Sequence, residues 1–245
     1  MRILSIVSYN GTNYQGWQKQ PNGNTVQDEI ERVLSQYFNR QILIQGAGRT
    51  DAGVHAAGQR FHFDVDVNDI DLDRLKYSIN CMLPKDIKIE DFEVVDDDFH
   101  CRFAAKEKIY VYSIYLAAKD VFFYPVMWLV PEDIDIEKLK KCLTHFEGKH
   151  NFQNFTSKEE DDDNFVRTIY SINVESGNDK IINIMFRGDG FMRYMIRFLV
   201  GTAVEYAKGK LTDEDILEML DANKERHIVS YKAPANGLML VDVVY

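Results

Sequence analysis

Hydrophobic residues change their period along this chain in an order that occurs twice, and that order constrains the fold more than composition does. Ile3 to Ser8 reads as a strand. Thr25 then stands as a helix cap before Val26, Ile30, Val33, Leu34 and Tyr37 at helical spacing. Gln41 to Gln45 reads as a second strand. Phe61, Phe63 and Val65 alternate with Arg60, His62 and Asp64, as a half-buried strand does. Asp71 caps a helix carrying Leu72, Leu75, Ile79 and Met82, stopped by Pro84, and Ile87, Ile89 and the run to Val95 complete the set. The order is β-α-β-β-α-β.

The second half repeats it. Ile109 to Leu116 is a strand with Tyr110, Tyr112, Ile114 and Leu116 on one face. Asp135 caps a helix with Ile136, Leu139, Leu143 and Phe146, ended by Gly148. Phe165 to Val174 and Ile181 to Phe186 form a strand pair around Ser176-Gly177-Asn178-Asp179. A long helix then aligns Phe191, Met195, Phe198, Leu199 and Thr202 until Gly209; Thr212 starts a short helix, and Leu238 to Val244 is the last strand. Two such copies predict an α+β protein of two ferredoxin-like halves, residues 1–105 and 106–245, with antiparallel sheets packed together and an active-site cleft between them.

The 245 residues are 45% hydrophobic, enough for a sizeable core, and no apolar run reaches membrane length. The opening Met1-Arg2-Ile3-Leu4-Ser5-Ile6-Val7 reads as a first strand rather than a signal peptide. Cys81, Cys101 and Cys142 are odd in number and widely spaced, which fits reduced thiols in a cytoplasmic protein and opposes a structural zinc site. A net charge of −10 weighs against general affinity for polyanions, so a nucleic-acid surface here must be a local basic patch.

Between two strand-like runs, residues 46–55 read Gly-Ala-Gly-Arg-Thr-Asp-Ala-Gly-Val-His. Three glycines and two alanines leave little side chain to pack, yet Arg49, Asp51 and His55 stand among them. Small residues around ionisable ones mark a place where backbone and charge approach a ligand closely. The spacing is neither a phosphate-binding Walker loop nor a dinucleotide fingerprint.

This segment resembles the signature of the TruA family of tRNA pseudouridine synthases. The upstream Tyr9-Asn10-Gly11-Thr12-Asn13-Tyr14-Gln15-Gly16-Trp17-Gln18 is similar to that family's opening motif. Asp98-Phe99-His100-Cys101-Arg102-Phe103-Ala104-Ala105-Lys106 resembles the stretch leading into its second domain. Tyr110 matches the family's substrate-contacting tyrosine, and Phe191, Met195, Arg197 and Gly201 fall in register with its last motif. The resemblance implies isomerisation of uridine to pseudouridine at positions 38, 39 and 40 of the tRNA anticodon stem-loop, by a homodimer without a cofactor. It implies Asp51 as the catalytic carboxylate, Arg197 as its ion partner, Tyr110 as the ring that stacks on a flipped-out base, and Arg49 as a residue that fills the vacated stack or holds the backbone. The bare loop then leaves room for an extruded nucleoside.

His55, Phe99, His100, Arg102, Phe103 and Arg167 are further candidates for RNA contact. Lys106, Lys108, Lys149, His150 and Arg193 are candidates for the local basic surface. His55, His62 and His100 with Asp51 suggest a metal only weakly, since no two of the histidines are spaced i, i+4, and no metal is expected. Glu159-Glu160-Asp161-Asp162-Asp163 stands where the family meets tRNA; either that loop points away, or binding is modest and salt-sensitive. The Phe122-Phe123-Tyr124-Pro125-Val126-Met127-Trp128 run suits an apolar interface or core equally. The rival to an enzyme is a non-catalytic RNA-binding module of the same ferredoxin-like units, which would tolerate loss of Asp51. A metal-dependent hydrolase using Asp51 and His55 is the third alternative.

Overall fold

The computed structural model describes residues 1–21, 23–67, 69–131, 134–157, 164–177 and 180–245. The acidic run Glu159–Asp163, and Asn178 and Asp179 of the expected turn, lie outside the described residues. The chain divides into two compact units, Met1–Lys106 with Met239–Tyr245, and Glu107–Leu238. Among the described residues no helix is long and apolar enough to cross a membrane.

The first unit runs β1 (Arg2–Tyr9), α1 (Val26–Phe38), β2 (Gln45–Gly46), β3 (His55–Asp64), α2 (Leu72–Met82) and β4 (Ile87–Val95). β1 lies between β4 and β3, antiparallel to both, and β2 pairs antiparallel with β3. This is the split βαβ arrangement that the order of elements calls for. Thr25 accepts the Asp28 N–H and Asp71 accepts the Arg74 N–H, so both helices start where their caps stand. Val26, Ile30, Val33 and Leu34 of α1, and Leu75 and Ile79 of α2, are buried with Ile3, Val7, Phe61, Phe63, Ile89 and Phe92 of the sheet. Ser5 pairs with both Phe61 and Phe92, a small residue between two large ones.

The strand expected over 41–45 shrinks to Gln45 and Gly46. Side chains of α1 have taken the backbone groups that a ladder would use. Ser35 Oγ accepts the Ile42 N–H at 2.9 Å, Glu31 accepts the Ile44 N–H at 3.2 Å, and Gln27 Nε2 donates to the Ile44 carbonyl at 3.3 Å. Glu31 is buried and also receives Gln27 Nε2 at 2.9 Å and Lys19 Nζ at 3.3 Å, so its charge is solvated by the protein.

The second unit runs β5 (Glu107–Tyr115), β6 (Trp128–Leu129), α3 (Ile136–Thr144), β7 (Gly148–Asn151), β8 (Val166–Ser176), β9 (Ile181–Gly188), α4 (Met195–Ala207) and α5 (Asp213–Leu220). Its strands lie in the order β5-β9-β8-β7, all antiparallel, with β6 added parallel to β5. Helix α3 stops at Thr144 rather than at Gly148, which opens β7, a strand the periodicity did not signal. α4 begins at Met195, because Tyr194 adopts a left-handed backbone and separates Phe191 from the helix. Asp213, first residue of α5, accepts His145 Nε2 at 2.8 Å, Tyr206 OH at 2.9 Å and the Lys141 ammonium, fastening α5 to α3 and α4. These donors hold its carboxyl below the usual range.

The last strand, β10 (Leu238–Val244), completes the second half in the sequence rhythm. Its Met239 and Leu240 run parallel beside His55 and Ala56 in the first unit. Because β2 occupies β3 only at Phe61 and His62, the opening end of β3 is open to this partner.

Replacing Glu31 with Ala should lower unfolding free energy by about 2–3 kcal/mol, because the Ile44 N–H and Gln27 amide lose a buried acceptor. Glu31→Gln, which keeps an acceptor oxygen, should cost less; equal urea midpoints for the two variants would contradict this account.

Candidate active site

Residues 47–54 form a turn that delivers the chain into β3. The Ala47 N–H donates to the Arg60 carbonyl at 2.8 Å, and the Val54 N–H closes back on the Asp51 carbonyl at 3.1 Å. The segment from Tyr9 to Gln18 holds this turn from one side. Trp17 N donates to the Thr50 carbonyl at 3.1 Å, and Gly53 N donates to the Tyr14 carbonyl at 3.3 Å. Gly11 N donates to His55 Nδ1 at 3.0 Å, and the Tyr9 and Thr50 hydroxyls lie 2.8 Å apart. Gln59 Nε2 adds a bond to the Gly48 carbonyl at 3.0 Å. Burial raises the Tyr9 phenol above its usual range, so it remains a protonated partner.

Close backbone approach explains two of the glycines. A Cβ on Gly16, whose φ is +93°, would stand 2.6 Å from the Thr50 carbonyl oxygen and 3.1 Å from Asp51 C. A Cβ on Gly46 would meet the Trp17 indole nitrogen at 2.4 Å. The bareness expected to make room for a nucleoside therefore serves, at Gly46, a buried tryptophan. Asp51 itself is half-buried, with Ala52 exposed beside it. Arg49 is exposed and Nε donates to Gln18 Oε1 at 3.1 Å. His55 is buried, and its Nδ1 is spent on Gly11.

Phe99 to Phe103 form a second constellation in the same unit. Phe99 meets Tyr245 edge-on with centroids 5.1 Å apart, and its carbonyl accepts Arg2 Nη1 at 2.8 Å. The His100 ring lies 4.8 Å from His62 and 4.3 Å from Phe103, and its Nδ1 accepts the Arg102 N–H. Arg102 is exposed and stands 5.9 Å from the Phe103 ring, which is 78% exposed. This turn covers the face of β3 that alternation assigned to solvent: His62 is buried. Among the described residues, the metal-type donors that converge are His62, His100 and Cys101, within 4.8 Å, and not the set of His55, His62 and His100 with Asp51. Hydrogen bonds hold this group, since Cys101 Sγ donates to the Gln45 carbonyl at 3.0 Å and lies 3.2 Å from His62 Nδ1.

Tyr110, Arg167 and Arg197 belong to the second unit. Tyr110 is 7% exposed on β5 and meets Phe191 edge-on at 5.3 Å. Arg197 sits in the first turn of α4. Its Nε donates to the Ala233 carbonyl at 2.8 Å, while its own carbonyl accepts the Ala233 N–H at 2.9 Å. Its guanidinium lies 5.1 Å from the Tyr194 ring. Tyr194 holds φ +63°, a conformation that costs a bulky residue about 1–3 kcal/mol. Arg167 on β8 turns its Nη1 to the Val166 and Asn164 carbonyls at 2.6 and 3.2 Å. Lys149 and His150 on β7 pair with Thr168 and Arg167 of β8, and His150 Nε2 bonds the Glu147 carbonyl.

Tyr9, Trp17, Thr50 and Gln59 support the turn, yet sequence reasoning gave them no individual roles. The quoted motifs contained the first three. Gln59 gave no signal, because only the fold shows that it is buried.

Desolvation, aided by the positive charge of Arg2 and by His100, lowers His62 from 6.5 to about 4. A folded-state value below the unfolded one means that the unfolded chain binds the proton first. The contribution to stability is thus complete above pH 6.5 and is lost as pH falls from 6.5 towards 4. Urea midpoints at pH 7 and pH 5 should therefore differ less for His62→Gln than for the wild type; an identical drop in both would refute this.

A family model described as tRNA pseudouridine synthase matches residues 6–104 and 143–245. The tRNA pseudouridine synthase A of Exiguobacterium is 40% identical over 244 residues, spanning 100% of this chain and 98% of that protein. The protein of the same name from Acetivibrio thermocellus is 39% identical, with 99% of each chain covered. That of Staphylococcus saprophyticus is 38% identical over 98% of this chain and 89% of its own. Both the Asp51 turn with its supporting segment and the helix bearing Arg197 fall inside the matched residues, and the chain belongs to the tRNA pseudouridine synthase family.

Proposed function

We propose that this chain isomerises uridine to pseudouridine at positions 38, 39 and 40 of the tRNA anticodon stem-loop, with Asp51 as the catalytic carboxylate and Tyr110 and Arg197 as further catalytic residues. The observation that carries this is the Asp51 turn: a carboxylate among small residues, its backbone clamped by Trp17, Tyr14 and Gln59. Positioning of this kind is what a single-carboxylate reaction requires.

The chemistry is balanced within the substrate. The bond from uracil N1 to ribose C1′ breaks, the base turns, C5 bonds to C1′, and the proton on C5 leaves while N1 gains one. Asp51 acts at the sugar or the base as a nucleophile, or by stabilising positive charge. No electron, phosphoryl group or external reactant is transferred, so the reaction calls for no cofactor. The target base leaves its stack, and an aromatic ring such as Tyr110 offsets part of that cost. Arg49, Arg102 and Phe103, all exposed, are available to RNA in the first unit. The chain acts as a homodimer in this reading. The exposure of Val121, Phe122 and Tyr124, with Phe122 84% exposed, supports an apolar contact surface. Family membership favours the enzyme over the non-catalytic binding module.

Unmodified tRNA transcript carrying tritium at uridine C5 supplies the test. Wild type should release tritium, whereas Asp51→Ala and Asp51→Asn should release none while still binding the transcript. Full release by Asp51→Asn would remove Asp51 from its role. Gly16→Ala, which pushes a methyl group into the Thr50 carbonyl, should lower the release rate at least tenfold with transcript binding retained. An unchanged rate would show that the clamp does not position the carboxylate.

A further inference from the structure

Three cations surround one ring in the second unit. Lys232 Nζ lies 4.4 Å from the Tyr194 centroid, the Arg193 guanidinium 4.9 Å and the Arg197 guanidinium 5.1 Å. Lys232 also stands 5.9 Å from the Phe198 ring. In a chain of net charge −10, general composition does not produce such a grouping. Arg193 and Lys232 are both exposed. Arg193 Nη2 donates to the Tyr194 hydroxyl at 3.1 Å, and among the described residues no carboxylate pairs with either cation.

Attraction to the ring holds Arg193 and Lys232 close together, and their like charges repel. The ring is also placed there against local backbone preference, since Tyr194 has φ +63°. Strained residues of this kind persist where their surroundings over-determine them, and they gather at ligand sites. An anion would relieve the repulsion, and one that reached Arg193 and Lys232 would do so beside Arg197.

We infer that Arg193 and Lys232, gathered on the Tyr194 ring, bind the phosphodiester backbone of the RNA substrate and position its strand beside Arg197. Tyr194 is the platform that spaces the two cations. The inference rests on the tRNA reading above and gives the substrate's backbone a specific holding point. Arginine and lysine divide the task in the usual manner, with Arg193 presenting a planar fork and Lys232 a mobile point charge. Each phosphate contact releases condensed counterions, so its signature is a salt dependence of binding rather than a change in the chemical step.

The experiment uses the full-length protein, unmodified tRNA transcript with uridines in the anticodon arm, and the variants Arg193→Gln, Lys232→Gln and Lys232→Arg. Each Gln variant should weaken transcript binding about five- to tenfold. Each should also flatten the plot of log K against log salt by about 0.7–0.9. In tritium release KM should rise more than kcat falls, and Lys232→Arg should restore both KM and the salt slope. Thermal midpoints equal to wild type establish that the Gln variants are folded; Tyr194→Phe, which keeps the ring, should keep the slope. Unchanged affinity and slope in both Gln variants, with wild type active, would overturn the inference and leave the tRNA reading standing. A wild type that releases no tritium, yet loses slope in the Gln variants, would overturn that reading and support the phosphate contact.

Discussion

The interlock between residues 9–18 and the turn ahead of β3 underlies the rest of the first unit. Backbone groups of Gly11, Trp17 and Gly53 are all satisfied across it, to His55, Thr50 and Tyr14 respectively. These are buried or nearly buried groups, and any left unpaired would cost as much as the bond gains. The two segments are consequently obligatory partners. The Tyr9–Thr50 contact and the Gln59 amide extend the interlock into β1 and β3, so the placement of Asp51 is tied to the sheet and not to its own loop. A turn built mainly of small residues lacks side-chain packing of its own and must borrow rigidity in this way.

The second unit solves a different problem, that of holding a long cation at a helix start. Arg197 exchanges hydrogen bonds with Ala233 through both side chain and backbone, so the 231–233 segment is strapped along α4. The same strap carries Lys232 onto the Tyr194 ring. Arg193 stands on the same ring, and among the described residues no carboxylate pairs with it or with Lys232. A ring holds a cation without neutralising it, which leaves the positive potential available to a polyanion. In a protein that is acidic as a whole, such local arrangement keeps a patch of positive potential in place.

Much of the architecture was legible in the residues. Thr25, Asp71 and Asp135 cap the helices that the sequence assigns to them, and Thr212 caps the short helix that it starts, because capping depends on a side chain and an N–H three residues on. Departures occurred where distant groups compete for the backbone. Gln41 to Ile44 has strand-like composition, but Glu31, Ser35 and Gln27 occupy its hydrogen-bonding groups first. His62 alternates as a solvent-facing residue should, but the turn at Phe99–Phe103 lies over it. Phe191 fits a helical stripe, yet the left-handed Tyr194 lets the helix begin only at Met195, four residues later.

The sequence by itself determined the succession of elements apart from β6 and β7, the helix starts marked by Thr25, Asp71, Asp135 and Thr212, and the family-bearing motifs around Asp51 and Arg197. All of these depend on residues close together in the chain. Only the tertiary structure decided that Gly46 accommodates Trp17, that His55 is spent on Gly11, and that Lys232 joins Arg193 and Arg197 on one ring. Periodicity records which face of an element is apolar, whereas the identity of the group that meets that face depends on segments far away in the chain. Contacts of that second kind, such as Lys232 on Tyr194, leave no periodic trace.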